Sequence, residues 1–449
     1  MPPPCQHPSL LVTPSTHEYS TAYCQKRPSL HHRIAASTPL ARLDPSTPNI
    51  HPSEDFPAPL VLPGDDLAYD PGCPPQSLRA WLRLKERNAV TPERRTVYLV
   101  APPEVDSEAD LDFVNQWAEP TGPGIVKREI VEFPKLDDIL TYLTAFYHKM
   151  PVKMLPGPRP CFTNDVLNSI KPKASKNRYN RDREPKKKAA PPNTLWLNTH
   201  TSEGAIGIKY RATPNGPFTH QLNLNDLLDA AIAMLPDDAY ALVMVVKHDI
   251  FEDEEDDFAC GRAYGGSRIA VVSGARYAPC LDKLQDVSRT GGWPASHCES
   301  CATMYGHETE EEMDDGIEVV GALRAAVTAH TKLGRLDGKL SKKSLEGLWL
   351  GRVCRTVGHE VGHCFGIGHC TYYACSMQGT ASVIEDARQP PYLCPVDLEK
   401  MLKATGSNVI DRYNAILGFC GKFTEVHLYA AYAAWIRHRI SVIERTRSS

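Results

Sequence analysis

The residues with the clearest chemical pattern lie between 357 and 370, in the string VGHEVGHCFGIGHC. His359 and His363 are one helical turn apart, so on a helix their imidazoles project from the same face and can bind one metal ion. Glu360 directly follows the first of them, where its carboxylate can take a proton from a metal-bound water that attacks a carbonyl. This spacing predicts a metal site with Glu360 as its general base.

A catalytic zinc ion that keeps one position open for water needs a third protein ligand, and His369 can supply it. His369 lies six residues after His363, too far along to share a helical face. Gly366 can adopt the left-handed conformation that ends a helix and turns the chain back toward the metal. The competing reading, ordinary helix or core histidines, requires the full HExxHxxGxxH pattern to be coincidence, so we expect three histidine ligands.

A second cluster begins at the next residue, with Cys370, Cys375 and Cys394 at the short and then long spacing of a structural zinc site. Such a site normally has four ligands. Asp397 stands where the second cysteine of a closing CxxC would lie, and a carboxylate can bind zinc. The alternatives are a water or another side chain as the fourth ligand, or buried apolar thiols with no metal.

Other cysteines give weaker evidence of a metal site. A lone CxxC at Cys298 and Cys301 fits two loop thiols better than an additional zinc site, because no second pair lies nearby. Cys73 lies in a proline-rich stretch, where a lone cysteine is expected to be exposed to solvent. The alternative is that Cys73 covers the zinc as a removable thiolate. The cluster of Cys370, Cys375 and Cys394 indicates metal binding in a reducing compartment. We therefore expect an intracellular protein, cytoplasmic in preference to nuclear.

The elements that must position these residues are predicted from apolar periodicity. A helix that begins near Ser344 carries an apolar stripe with a spacing of four residues, on a face away from the two histidines. Strands are predicted at Arg95–Val100, Val152–Leu155, Leu195–Leu197, Ala205–Tyr210, Tyr240–Val246 and Arg268–Tyr277, and further helices at Leu136–Tyr147, Leu224–Leu235, Val396–Ala404 and Val409–Leu417.

The first 75 residues contain 16 of the 38 prolines and no sustained apolar period. Such a segment has little with which to build a core, so we expect residues 1–90 to be a Pro-rich, disordered leader and residues 91–449 to form one domain. Two insertions are expected within that domain, around 168–192 and 278–343, the second of them long and irregular.

Charge excludes some partners. The 50 basic and 54 acidic residues nearly balance, which argues against nucleic acid or an anionic membrane as a general partner. Lys171–Lys188 contains nine Lys or Arg and is expected to be a solvated insertion rather than a nuclear-import or nucleic-acid patch. Glu252–Asp257 is expected to be an acidic surface loop rather than a site for a cation or a basic peptide.

The run HEVGHCFGIGHC, followed by TYYACSMQG and ending at YLCPVD, resembles the archaemetzincin family of metzincin-clan zinc metallopeptidases. The family closes its pattern with CxxC, and this chain has Asp397 at the last position. The resemblance implies His359, His363 and His369 as catalytic zinc ligands, Glu360 as general base and Met377 as the Met-turn residue beneath the zinc. It also implies Cys370, Cys375 and Cys394 as structural-zinc ligands.

The fold implied is α+β and metzincin-like: a twisted mixed sheet packed against the active-site helix, with a smaller helical C-terminal subdomain below the cleft. By the same analogy, the strand Arg268–Tyr277 would be the sheet edge on which an extended peptide pairs. We expect a monomeric zinc-dependent peptidase, aminopeptidase-like on small peptides, that acts on a peptide or protein substrate. The alternative is a non-catalytic, zinc-stabilised interaction protein on the same scaffold.

Overall fold

The structure is a computed structural model that describes residues 28–38, 55–62, 65, 74–164, 193–214, 216–298 and 321–448. Its helices are α1 Leu30–Ala36, α2 Leu78–Leu82, α3 Asp112–Trp117, α4 Leu136–Phe146, α5 Leu224–Ala233, α6 Ala322–Lys332, α7 Lys342–Cys364, α8 Val383–Arg388, α9 Pro395–Thr405, α10 Val409–Cys420 and α11 His427–Ser448. Its strands are β1 Thr96–Val100, β2 Glu104–Val105, β3 Val152–Met154, β4 Cys161–Thr163, β5 Thr194–Asn198, β6 Ala205–Ala212, β7 His220–Asn223, β8 Ala239–Val246, β9 Ile250–Phe251, β10 Gly261–Tyr264 and β11 Ile269–Ser273.

A five-stranded mixed sheet, in the order β10-β11-β8-β1-β3, forms the centre of the fold. Strands β11, β8, β1 and β3 are parallel, and β10 pairs antiparallel with β11. All eight residues of β8 are buried, as expected for a strand covered on both faces. Because β11 lies between two strands, the prediction that it forms the sheet edge is wrong, and the edge on this side is β10.

The two faces of this sheet pack against different layers. On one face, Val243 and Val245 belong to the same apolar cluster as Ile139 of α4 and Val357 of α7. On the other face, the alternating residues of β8 pack with α5 and with a second sheet. This second, six-stranded sheet has the order β2-β4-β5-β6-β7-β9. Its strands β5 and β6 were predicted. The other four are only two to four residues long and were not foreseen.

The N-terminal end of helix α7 and its buried face follow from its own sequence. Ser341 caps its N-terminus by accepting a hydrogen bond from the amide of Ser344 at 3.0 Å, so the helix begins two residues earlier than predicted. The stripe predicted to face the core is buried, with Val353, Val357 and Val361 completely inaccessible. Burial of each such side chain stabilises the folded state by about 1.5–3 kcal/mol. The packed stripe therefore holds the opposite face of the helix in a defined orientation.

The part of the chain after α7 is helical. Helix α11 packs along α6 and α10, and Trp435 of α11 stacks on Tyr392 with ring centroids 4.3 Å apart. Helix α9 ends at Gly406, which has a φ of 69°, as the C-cap pattern predicted. The expected α+β fold, in which a mixed sheet packs on the motif-bearing helix and a helical portion follows, is confirmed.

Parts of the expected leader and insertions are packed. Within 1–90, Phe56, Leu78 and Trp81 are buried in the main core, so residues 55–62 and 74–90 belong to the domain. Within 278–343, helix α6 packs against α11. The basic run Lys171–Lys188 lies outside the described residues. No helix in the described ranges combines the length and apolar character needed to cross a membrane.

Candidate metal centres

The C-terminal turns of α7 and the loop that follows bring three imidazoles together. The ring centroids of His359 and His363 are 4.6 Å apart, and His369 lies 5.2 and 4.9 Å from them. One ligand nitrogen of each ring lies within 4.8 Å of the others. Gly366 has a φ of 72° and turns the chain back after the helix, as the sequence predicted.

Backbone carbonyls set the orientation of two of the rings. The Nδ1 atom of His359 lies 2.8 Å from the carbonyl oxygen of Ser376, and that of His363 lies 2.7 Å from the carbonyl oxygen of Ile367. A carbonyl only accepts, so each Nδ1 carries the proton and each Nε2 presents a lone pair. This is the arrangement in which a second hydrogen bond fixes a histidine for metal ligation through Nε2.

The three histidines fit a divalent cation. The Nε2 atoms of His359 and His363 are 3.0 Å apart, which brings two lone pairs face to face unless a positive charge lies between them. Burial lowers the pKa of His359 far below its ordinary value and that of His363 to about 4, and it lowers the pKa of His369 too. Neutral imidazole is the form that binds zinc.

Glu360 lies at the wall of a cavity of about 300 Å³ that His359 and His369 also line. It is only 7 % exposed. Burial, and next the carboxylate of Asp386, raises the pKa of Glu360 to about 8, while the guanidinium of Arg262 opposes that shift. A cation held by the histidines would lower this pKa, because an opposite charge favours the carboxylate. Glu360 is thus a buried, titratable carboxyl beside the metal candidate.

Sequence reasoning missed Asp386, which lines the same cavity. Its carboxylate accepts hydrogen bonds from Tyr277 at 2.6 Å and from Thr380 at 2.5 Å. The Tyr277 hydroxyl in turn accepts one from Thr356 of α7 at 2.9 Å. Asp386 and Tyr277 are 109 residues apart, and neither lies in a motif, so no local signal could have found them.

The acidic run contributes to the cavity more than predicted. Glu252 and Asp256 line the cavity, whereas Asp253–Glu255 are exposed as a surface loop should be. Glu252 also forms an ion pair with Arg262 of the edge strand β10. The cavity is therefore bordered by acidic groups on the side of β9 and β10.

Met377 lies beneath the helix between the histidines. It is completely buried, and a Cβ added to Gly362 would lie 2.6 Å from the Met377 sulfur. A side chain at that position would force Met377 to shift, so Gly362 permits the thioether to approach the helix backbone directly. This position under the histidine pair is the one implied for a Met-turn residue.

The second cluster contains the predicted four residues, all of them buried: Cys370, Cys375, Cys394 and Asp397. The sulfurs of Cys370 and Cys394 are 3.5 Å apart, and the Oδ2 atom of Asp397 lies 3.4 Å from the Cys375 sulfur and 3.5 Å from the Cys394 sulfur. The Cys375 sulfur also accepts backbone N–H groups at 3.2 and 3.4 Å. Donors of this kind favour the thiolate that zinc requires.

Lys400 completes this cluster and was not foreseen. Its Nζ atom is 2.8 Å from Oδ1 of Asp397, and both side chains are nearly inaccessible. Burial, and next the Cys370 sulfur, raises the pKa of Asp397 to about 7, and Lys400 opposes that shift. Three thiols and a carboxylate at such distances form a donor set that a divalent cation would stabilise.

Other described cysteines close to these clusters in the sequence do not join either of them. Cys354 and Cys364 are buried on α7, and burial raises the pKa of both thiols. Cys298 is buried, rather than a solvent-side thiol as expected. Its CxxC partner Cys301 and the leader residue Cys73 lie outside the described residues.

Comparisons with known proteins show what the segment that carries these clusters is similar to. Residues 339–403 match the family model described as peptidase family M54. Archaemetzincin-2 of Rattus norvegicus is 24 % identical over 229 residues, 47 % of this chain and 55 % of the rat protein. Archaemetzincin-2 of Homo sapiens is 25 % identical over 201 residues, 44 % of this chain and 47 % of the human protein.

Among solved structures, the archaemetzincin of Methanopyrus kandleri aligns with 70 % of this chain and 98 % of its own, at 15 % identity and a TM-score of 0.30. The chain spans about half the length of the curated relatives it matches. The M54 match covers α7, both candidate metal clusters as far as Asp397, and most of α9. The chain is thus similar in sequence to the archaemetzincins, and its residues 339–403 match the peptidase family M54 model.

Proposed function

We propose that the protein is a zinc-dependent peptidase. The observation that carries the proposal is the convergence of His359, His363 and His369 next to the buried carboxyl of Glu360, at the wall of an open cavity. Two neutral imidazoles held through Nδ1 by backbone carbonyls are suited to metal ligation, and a carboxyl beside the metal is suited to proton transfer. The family match supports the same chemistry.

A bound zinc ion would supply Lewis-acid polarisation of water and of the scissile carbonyl. Glu360 would accept a proton from the attacking water and pass it to the leaving amine. The burial of its carboxyl group strengthens its electrostatic interactions with the reacting groups. Asp386, which accepts hydrogen bonds from the Tyr277 and Thr380 hydroxyl groups, would help to raise the proton affinity of Glu360 for this transfer.

We further propose that an extended peptide pairs with β10, the edge strand of the five-stranded sheet. Edge strands present unpaired backbone groups to such a ligand. Gly261 at the start of β10 lies beside Glu360, since a Cβ added there would be 3.2 Å from the Glu360 Cγ atom. A peptide on this edge would therefore pass the general base.

Aminopeptidase-like action on small peptides is the finer form of the proposal. Glu252 and Asp256 line the cavity, where a carboxylate can stabilise the α-ammonium group of a peptide. Small peptides with a free N-terminus should then be cleaved faster than their N-acetylated forms. Equal rates for the two forms would favour internal cleavage.

The test of the peptidase proposal is the Glu360→Gln variant. It keeps the shape of the side chain and removes its ability to accept a proton, so the variant should keep its zinc and lose a factor of about 10²–10⁴ in peptide hydrolysis. Glu346→Gln is the matched control, because Glu346 lies on the same helix with its side chain 38 % exposed. Zinc content is measured together with cleavage of a peptide library.

Full hydrolysis by Glu360→Gln would contradict the proposed role of this residue. A wild-type protein that binds zinc and cleaves no member of the library would instead indicate the alternative, a non-catalytic zinc-stabilised interaction protein. We also propose that Cys370, Cys375, Cys394 and Asp397 hold a second, structural zinc ion. The intracellular location and the monomeric state remain predictions from the sequence.

A further inference from the structure

The segment 74–90 crosses the loop that follows α7, although the sequence assigned it to a leader. Trp81 of α2 is buried and donates its indole N–H to the carbonyl oxygen of Phe365 at 2.9 Å. Asn88 donates to the carbonyl oxygen of Gly265 at 3.0 Å. These contacts place the segment next to the turn that carries the chain from His363 to His369.

Gln76 makes the most specific of these contacts. Its amide nitrogen donates to the carbonyl oxygen of Gly366 at 3.0 Å, and its amide oxygen accepts from the backbone N–H of Gly368 at 3.1 Å. One side-chain amide thus pairs with the backbone on both sides of Ile367. The carbonyl oxygen of Ile367 is the acceptor that orients the His363 ring.

The position of Gln76 is itself fixed from the other candidate centre. The Lys400 ammonium donates to the Gln76 amide oxygen at 3.0 Å and pairs with Asp397 at 2.8 Å. A continuous chain of polar contacts therefore runs from the carboxylate of the cysteine cluster to the turn that holds the histidines. Lys400 is 1 % exposed, so water does not compete effectively for its ammonium group.

The turn needs this support because of its composition. Gly366 and Gly368 flank Ile367, and glycine has more backbone freedom than other residues, so the turn is costly to order. A hydrogen bond to each side of Ile367 reduces that freedom. Removing partners that orient metal ligands typically weakens metal affinity by 10–100-fold.

We infer that Gln76 is a positioning residue for the histidine centre. Its side-chain amide pairs with the backbone on both sides of Ile367 and with Lys400, and these contacts keep the turn between His363 and His369 in one conformation. The inference rests on the proposed function only in requiring that His359, His363 and His369 bind a metal. It assigns a structural role in metal binding to a segment outside the M54 match.

The test measures metal affinity of the full chain without any peptide substrate. Metal-free protein is titrated with Co²⁺, whose sulfur-to-metal charge-transfer absorption reports the cysteine cluster. The visible d–d bands arise from both sites, and those of the histidine centre are isolated by subtracting the spectrum of a His363→Ala variant. Gln76→Ala should weaken Co²⁺ binding at the histidines by roughly tenfold and change their visible spectrum, while the sulfur band changes less. Arg83→Gln, an exposed change in the same segment at the C-terminal end of α2, is the control.

Gln76→Glu provides a second variant in case the alanine variant folds poorly. A glutamate can still accept from Gly368 and Lys400, but it cannot donate to Gly366 and places a carboxylate oxygen against that carbonyl, so its Co²⁺ affinity should also lie below that of wild type. Thermal unfolding of the metal-free proteins checks that each variant is folded. Affinities and spectra equal to the Arg83→Gln control in both variants would overturn the inference.

The two proposals can fail separately. If Gln76→Ala weakens Co²⁺ binding in a protein that hydrolyses no peptide, the peptidase proposal fails and the positioning role remains. If Glu360→Gln abolishes hydrolysis while Gln76→Ala matches the control, the peptidase proposal remains and the positioning role fails.

Discussion

Asp55 offers a direct test of whether the segment 55–62 is an integral part of the domain. Its carboxylate pairs with Arg439 of α11 and accepts the backbone N–H of Ala322, the first residue of α6, at 2.6 Å. Its backbone oxygen accepts the indole N–H of Trp435 at 3.1 Å. The Asp55→Ala change removes the carboxylate contacts and leaves the backbone contact in place.

The expected loss is large because the pair is buried. The side chains of Asp55 and Arg439 are 1 % and 2 % exposed, so the guanidinium would lose its charge partner without gaining solvent. Removal of one partner of a buried ion pair typically lowers the free energy of unfolding by about 3–5 kcal/mol. The N–H of Ala322, which loses its acceptor, contributes to this loss. Asp55→Asn keeps one acceptor oxygen and should lose less.

Urea unfolding of the metal-loaded protein, followed by tryptophan fluorescence, measures this loss. The matched control is Glu104→Ala, which breaks a surface pair with Arg159 whose side chains are 58 % and 55 % exposed and should cost less than about 1 kcal/mol. A double variant, Asp55→Ala with Arg439→Leu, should be more stable than the sum of the single losses predicts, because it buries no unpaired charge. An Asp55→Ala loss no greater than that of the control would refute the reasoning.

Two further predictions concern the second cluster and the pH dependence of folding. Metal analysis should find two zinc ions in the wild type and one in Asp397→Ala. The control Glu399→Ala, on the same helix, should keep two. One ion in all three proteins would confine the metal to the histidines. Burial lowers the pKa of His248 from 6.5 to about 4, so the folded state disfavours its protonation. Unfolding free energy should therefore fall by at most about 3 kcal/mol as the pH drops from about 6.5 to about 4, and His248→Gln should reduce that fall. The same pH profile in both proteins would show that another group is responsible.

The candidate ligands could be predicted because their signal is local. Two histidines one turn apart, and a glycine that reverses the chain before the third, restrict the geometry through backbone dihedrals alone. The same is true of helix α7, whose buried stripe and serine cap lie within its own sequence, and of Gly406 at the end of α9. Short strands such as β2 and β9 carry too few residues for a periodic signal, so these strands of the second sheet were missed, whereas its longer strands β5 and β6 were predicted.

The sequence by itself therefore determined which side chains are suited to hold metal and which helix presents them. Only the tertiary structure decided which strand forms the edge beside Glu360, that Asp386 lines its cavity, and that Gln76 supports the turn between His363 and His369. Gln76 and Gly366 are 290 residues apart, and their contact arises from the packing of whole elements. Long-range contacts of this kind depend on the three-dimensional path of the chain, and they leave no spacing rule in its sequence.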